Sequence, residues 1–123
     1  FYVTPFSMTP FSTNTLPDTG TWEQIFNESY EQTKQALMDE KNVLYDSTNQ
    51  TVASRNKLRE IADSVDSDTK VLFFRSPIET VWQRWSENQK NPSRSVVSKD
   101  LVQQTIHMFE EPTEEENVIM VDN

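Results

Sequence analysis

Three short apolar runs, separated by stretches of helical periodicity, constrain this chain's fold more than any other feature. Val43-Leu44-Tyr45, Val71-Leu72-Phe73-Phe74 and Val118-Ile119-Met120-Val121 are each bounded by polar residues, as buried strands are. Before the first run, Trp22, Ile25, Phe26, Tyr30, Thr33 and Leu37 recur at helical spacing. Leu58, Ile61, Ala62 and Val65 form a second stripe, and Ile78, Val81, Trp82 and Trp85 a third. Leu101, Val102, Thr105 and Met108 form a fourth. Strands alternating with helices predict a parallel α/β sheet with right-handed crossovers. The 71–74 run does not alternate, which predicts a strand covered on both faces.

Local signals place the element ends. Thr21 is positioned to cap the first helix, with Gln24 completing a capping box. That helix is expected to end near Asp39, with Asn42 supplying the turn. Thr51 and Ser98 are positioned to cap the second and fourth helices. Ser76-Pro77-Ile78-Glu79 reads as a cap residue, proline at the first helical position and a glutamate closing the box. Asn91-Pro92 ends that third helix, and the polar stretch 86–97 reads as a loop.

The first 20 residues differ from the rest. They hold Pro5, Pro10, Pro17 and Gly20, the chain's only glycine, with a near repeat of Thr4-Pro5-Phe6-Ser7 in Thr9-Pro10-Phe11-Ser12. Proline fixes φ and removes a donor, so residues 1–20 are expected to be an extended tail or strap and 21–123 the folded domain. Phe1 stands where an initiator methionine would, which predicts a fragment or processed product. No run approaches the ~18 apolar residues of a membrane span. No charged segment and apolar core mark a signal peptide at the front. The absence of cysteine excludes disulfides and thiolate metal sites and fits a reducing compartment, hence a cytoplasmic location. A net charge of −9 repels nucleic-acid phosphates at long range, so binding RNA or DNA requires a local basic patch. Arg84, Lys90, Arg94 and Lys99 are the candidates, diluted by Glu87 and Asp100.

In parallel α/β sheets, ligands bind beyond the carboxyl ends of the strands. That rule points at 46–49 and at Arg75-Ser76. Asp46 directly follows a predicted strand, where a carboxylate can hold Mg²⁺ or orient a group beside a phosphate. Thr48 and Asn49 offer polar atoms in the same loop. Asp, Ser, Thr and Asn also dominate ordinary strand-to-helix turns, so both readings stand. Arg84, Lys90 and Arg94 flank the 86–97 loop, where cations either stabilise a transferring phosphoryl group or merely suit a helix C-terminus.

Taken together, several strings go further. They are Asn42-Val43-Leu44-Tyr45-Asp46-Ser47-Thr48-Asn49, then Arg55, then a strand and Ser76-Pro77, and finally Met108-Phe109-Glu110-Glu111-Pro112-Thr113-Glu114-Glu115-Glu116. In that order they resemble predicted bacterial P-loop kinases described as AAA-family ATPases or zeta-toxin-like kinases, akin to polynucleotide 5′-kinases and seryl-tRNA kinases. The resemblance covers roughly Trp22 to Val121. It implies ATP and Mg²⁺ as cofactors and phosphoryl transfer to a hydroxyl of a polynucleotide, tRNA, nucleotide or small molecule. It implies that Asp46 is a catalytic acid and metal ligand and that Arg84 and Arg94 are catalytic lid residues. It further implies that Thr48, Asn49, Arg55 and Lys90 serve the cofactor, with Arg55 bracing the loop. Where the polynucleotide kinases carry a second lid arginine, this chain has Asn88, and where they carry an acid before Thr-Asn it has Ser47.

The resemblance also implies a partial three-layer α/β/α P-loop NTPase fold. The family begins with a strand and G-x-x-x-x-G-K-[ST], whose amides cradle phosphates. One glycine cannot build that loop, so these residues alone are expected to hold ATP poorly. In the family's strand order, 2-3-1-4-5, strands near 43–46, 71–75 and 118–121 are the third, fourth and fifth, with the first missing between 43–46 and 71–75. Three outcomes are open: 43–46 pairs directly with 71–75, the strap fills the gap through Phe1-Tyr2-Val3, or open edges drive self-association. The first and third are the expected ones, because Pro5 and Pro10 disfavour a long central strand from the strap. The alternative function is a non-catalytic acidic α/β interaction module, or a chain completing a partner's P-loop domain.

Overall fold

The structure, a computed structural model, describes residues 2–3 by backbone and residues 21–92 and 95–122 in full. The rest of the proline-rich strap and Arg94 lie outside the described residues. The four α-helices and three of the four short strands follow the predicted order, and the fourth strand lies in the strap, at the Tyr2–Val3 step that the sequence offered as a gap-filling strand. The strands are β1 (Tyr2–Val3), β2 (Asn42–Val43), β3 (Val71–Arg75) and β4 (Val118–Asp122). The helices are α1 (Trp22–Met38), α2 (Val52–Asp63), α3 (Ile78–Lys90) and α4 (Lys99–Met108).

Helix α1 starts where the capping box sets it. Thr21 Oγ1 accepts the Gln24 amide at 3.2 Å, and Gln24 Oε1 accepts the Thr21 amide at 2.8 Å. Its buried stripe is Ile25, Ser29, Thr33 and Ala36, so small and hydroxyl side chains share the face with the apolar ones. The hydroxyls are satisfied. Ser29 Oγ bonds the Phe26 carbonyl and the Tyr45 hydroxyl, both at 2.7 Å, and Thr33 Oγ1 donates to the Ser29 carbonyl at 2.8 Å. Tyr45 also stacks on Tyr30 with ring centroids 6.1 Å apart. Burial pushes the phenol pKa of Tyr30 up. Burial does the same for Tyr45, against the lowering effect of the Ser29 bond and with a further rise from neighbouring Tyr30. The helix leaves through Glu40, at φ 59°, not through a turn at Asn42. The Lys41 amide reaches the Ala36 carbonyl and the Glu40 amide the Leu37 carbonyl, closing the last turn in a Schellman pattern. A residue with a Cβ holds this left-handed position because those bonds satisfy the helix's last carbonyls.

The strands form two parallel pairs. β1 lies beside β2, with Tyr2 opposite Asn42 and Val3 opposite Val43. β3 lies beside β4 in a five-residue register from Val71↔Val118 to Arg75↔Asp122. β4 is launched by a 3-10 turn over Glu114–Glu116 and by Asn117 at φ 55°. The Asn117 side chain donates to the Thr69 carbonyl at 2.9 Å and so aligns the starts of both strands. The expected pairing of 43–46 with 71–75 is not formed. β2 is only two residues long, and among the described residues it pairs with β1 alone, while β3 pairs with β4 alone. Leu44 and Tyr45 lie beyond the described ladder, and the Tyr45 side chain rests against α1.

The core is thinner than the stripes suggest. Only Ile25, Ala36 and Ala62 are fully buried apolar side chains among the described residues. β3 is covered on one side, where Phe73 stacks on Phe109 at 5.6 Å between centroids. On its other side Leu72 is 46% exposed and Phe74 59%, with Ile119 opposite Leu72 at 43%, so the expected double cover is absent. Neither α3 nor α4 has a fully buried residue, and Ile78, Leu101 and Met108 of their expected inner stripes are exposed. Pro77, not Ser76, caps α3. Its ψ of 145° keeps it outside the helix and leaves Glu79 at the second helical position, too early to close a box. Ser98 caps α4 as expected, accepting the Leu101 amide at 3.2 Å.

Tyr45→Phe removes the one side-chain hydrogen bond between α1 and the end of β2 while leaving the ring stack. Urea unfolding is expected to show a loss of about 1 kcal/mol at unchanged m-value. An unchanged midpoint contradicts this account of how α1 is anchored.

Candidate functional site

The loop 46–51 leaves the carboxyl end of β2 and is tied down at its root, middle and end. At the root, the Tyr45 ring is held by Ser29 and Tyr30. In the middle, Asn49 takes a left-handed conformation, φ 42°, which asparagine tolerates better than most residues. Its side-chain amide points to the Tyr45 and Ser47 carbonyls at 3.5 and 3.4 Å. Its own carbonyl accepts from Arg55 Nη1 at 2.8 Å. At the end, Thr51 caps α2 in a box with Ser54. Asp46 and Thr48 are exposed on this secured loop, and Asp46 makes no ion pair among the described residues.

What secures the loop is a buried charge cluster. Arg55 is 4% exposed and Glu116 1%. Glu116 Oε1 accepts from Arg55 Nε and from Arg59 Nη1, both at 2.7 Å. Its Oε2 accepts the Thr113 amide at 2.7 Å and Arg55 Nη2 at 3.4 Å. Arg55 Nη2 also donates to the Glu110 carbonyl at 2.9 Å. No buried side-chain polar atom among the described residues lacks a partner. Burial raises the Glu116 carboxyl pKa, but the hydrogen bonds from Arg55, Arg59 and the Thr113 amide, with the Arg55 charge, outweigh it and bring it down to about 2.

Glu110 adds a second tie between the same segments. Its amide donates to the Gln50 carbonyl at 2.7 Å, and its Oε2 accepts the Val52 amide at 2.6 Å. Val52 is the first residue of α2, so the carboxylate satisfies an amide that has no partner inside the helix and sits at the positive end of the helix dipole.

The candidate residues therefore separate into groups. Asp46, Thr48 and Asn49 share the loop. Arg55 braces it, as the resemblance implies, but its guanidinium faces protein atoms and is buried, so direct contact with a cofactor does not fit its position. Arg84 extends over the carboxyl end of β3, where its Nη1 lies 3.5 Å from Ser76 Oγ. Lys90 is exposed in the last turn of α3. Six residues turn a helix by about 240° and advance it by about 9 Å, so Arg84 and Lys90 do not converge. Among the described residues no hydrogen bond or ion pair joins either to the 46–51 loop. Asn88, in place of the second lid arginine, donates to the Ser95 carbonyl at 3.2 Å. Trp85 Nε1 and Gln89 Nε2 both donate to the Val97 carbonyl, at 2.8 and 3.0 Å. The stretch 95–97 is thus held against α3 by neutral donors.

No group of three or more metal-ligating side chains occurs among the described residues. Mg²⁺ is commonly bound through one or two carboxylates, with phosphate oxygens and water completing the octahedron. Asp46 fits that mode and no protein-only cage.

The structural roles of Glu116, Glu110 and Arg59 are not evident from linear order. Two signals were present. Thr113 and Glu116 have capping-box spacing, and Arg55 and Arg59 place like charges four apart on α2, which asks for a shared acid.

Residues 6–118 match the family described as chromatin associated protein KTI12. The chain belongs to the KTI12 family. This family lies in the P-loop kinase-like group, which bears out the group that the sequence strings resemble, and the mixed α/β structure with its parallel strand pairs is consistent with a partial P-loop NTPase-like fold. No curated protein matches the chain. No helix among the described residues is long and apolar enough to cross a membrane.

The Glu116 cluster gives this KTI12-family chain a signature in acid. A carboxyl pKa lowered from 4.5 to about 2 stabilises the folded state fully above the unfolded value, and that contribution is lost as pH falls towards the folded one. The shift corresponds to roughly 3 kcal/mol. Glu116→Gln is expected to lower stability at pH 7 by about 3–5 kcal/mol, because the buried Arg55 and the half-buried Arg59 lose their counter-charge. It should also flatten the stability profile between pH 5 and 2. A variant whose acid profile matches the parent's would refute the assignment.

Proposed function

We propose that this chain supplies the acid-loop and lid portion of an ATP-dependent, P-loop kinase-like domain that transfers a phosphoryl group to a hydroxyl. The observation carrying this reading is the exposed Asp46, three residues beyond the carboxyl end of the parallel strand β2, on a loop tied at three points, in a chain matching the KTI12 family. A rigid loop with one solvent-facing carboxylate suits a metal–phosphate complex, since positioning supplies much of the catalysis in phosphoryl transfer. Mg²⁺ would bridge phosphate oxygens and offset the charge developing there. In this reading Asp46 holds that ion or its water shell, and Thr48 and Asn49 offer hydrogen bonds beside it. Arg84, at the carboxyl end of β3, is the cation that would face the transferring group; Lys90 lies further along α3, and the parts of Lys90 and Arg94 in the lid rest on the resemblance alone. The acceptor is a polynucleotide, tRNA, nucleotide or small molecule.

The phosphate cradle itself comes from outside these residues, because a single glycine at position 20 cannot form it. Direct contact with DNA is not favoured by a net charge of −9, so an association with chromatin in this chain would run through protein contacts. A second reading, in which the chain completes another polypeptide or pairs with its own copy, is favoured by the exposed Leu72, Phe74 and Ile119 face beside the open edge of β3.

Calorimetry separates these readings. The chain alone is expected to show no micromolar, Mg²⁺-dependent ATP site. Joined to an upstream strand carrying G-x-x-x-x-G-K-[ST], it should gain one, and Asp46→Ala should then cut turnover at least about a hundredfold without moving the melting temperature. Near-parental turnover in that variant sinks the catalytic reading, whereas concentration-dependent association without nucleotide binding supports the second.

A further inference from the structure

Glu110 contacts the other side of the acid loop through all three of its polar groups. Its amide meets Gln50, its carboxylate meets the Val52 amide and its carbonyl meets Arg55. The three contacts reach 55 to 60 residues back along the chain, and they bracket the last residues of the loop and the first residue of α2. Glu110 is also exposed, so little apolar packing depends on it. Immediately before it, Phe109 ends α4 and stacks on Phe73 of β3. One two-residue step thus connects the lid helix, the β3 strand and the acid loop.

We propose that Glu110 is a positioning residue that sets the geometry of the 46–51 loop, and so of Asp46, from the α4 side. Two features argue for positioning over bulk stability. First, α2 already has its own N-cap in Thr51, so the Glu110 carboxylate is not needed to start the helix. Second, Glu110 and Arg55 act on adjoining points, with Arg55 holding the Asn49 carbonyl and Glu110 holding Gln50 and Val52. Two consecutive carbonyls and the next free amide of the helix start are then fixed relative to β4. A loop held this way keeps Asn49 left-handed and limits where the Asp46 carboxylate can swing. The functional meaning rests on the nucleotide reading above, but the geometry does not.

Amide hydrogen exchange by NMR on the intact chain tests this without nucleotide. Glu110→Ala should speed exchange by about tenfold at Val52, whose amide loses its acceptor, and raise it at the neighbouring Thr51, while amides in the middle of α1 stay at the parental rate. Glu110→Gln keeps an acceptor oxygen without the charge and is expected to restore protection at Val52 to between the Glu110→Ala and parental levels. Three results overturn the proposal: unchanged loop exchange in Glu110→Ala, equal acceleration in α1 and the loop, or Glu110→Gln behaving like Glu110→Ala. Failure of the nucleotide reading shows separately, as absent ATP binding with this exchange pattern intact.

Discussion

The buried pairing of Glu116 with Arg55 and Arg59 is the interaction on which the rest of this structure depends. It joins the end of the 3-10 turn before β4 to helix α2, 61 and 57 residues earlier in the chain. Removing charges from water is costly, and such a cluster is tolerated only when its donors and acceptors are matched. Here they are: one carboxylate takes two guanidinium groups and a backbone amide, and the remaining Arg55 donors go to carbonyls of the acid loop and of Glu110. Because each bond has a direction, the cluster specifies one register between segments that apolar contact alone would let slide.

That directional lock matters more because the apolar core is small. Three fully buried apolar side chains cannot select a unique arrangement, and the parallel strand pairs each keep an edge without a strand partner among the described residues. Polar ties recur where packing is thin. Tyr45 is bonded to Ser29, Asn117 to Thr69, and Trp85, Asn88 and Gln89 to the 95–97 stretch. The exposed Leu72, Phe74 and Ile119 mark the face where cover is missing.

The candidate site follows from the same economy of contacts. The acid loop is rigid because its flanks are bonded to distant segments, and the one carboxylate that faces solvent there is Asp46. The α3–α4 connection is built differently, with neutral side chains holding the backbone of 95–97 and Arg84 and Lys90 exposed. Arg84 stands at the carboxyl end of β3 because helix α3 starts two residues beyond that strand, so its second turn returns over the strand end.

Much of this was legible in the sequence, and the legible part is local. The alternation of apolar runs and helical stripes determined the α/β order, and Thr21, Thr51 and Ser98 determined three helix starts, because a capping hydroxyl acts within a few residues of itself. Asp46 was marked by its place after a strand. The tertiary structure alone decided the rest. Pro77's extended ψ moved the α3 cap off Ser76, and β2 came out two residues long, with Tyr45 turned to Ser29 on α1. Whether an apolar run is covered depends on elements that its own sequence does not name, so Leu72 and Phe74 read as buried and stand exposed. In the sequence Glu116 is one of several glutamates in the stretch 110–116. It became the buried centre of the molecule because folding brought two arginines from α2 to it, and a charge's partner across such a separation is set by topology, not by spacing along the chain.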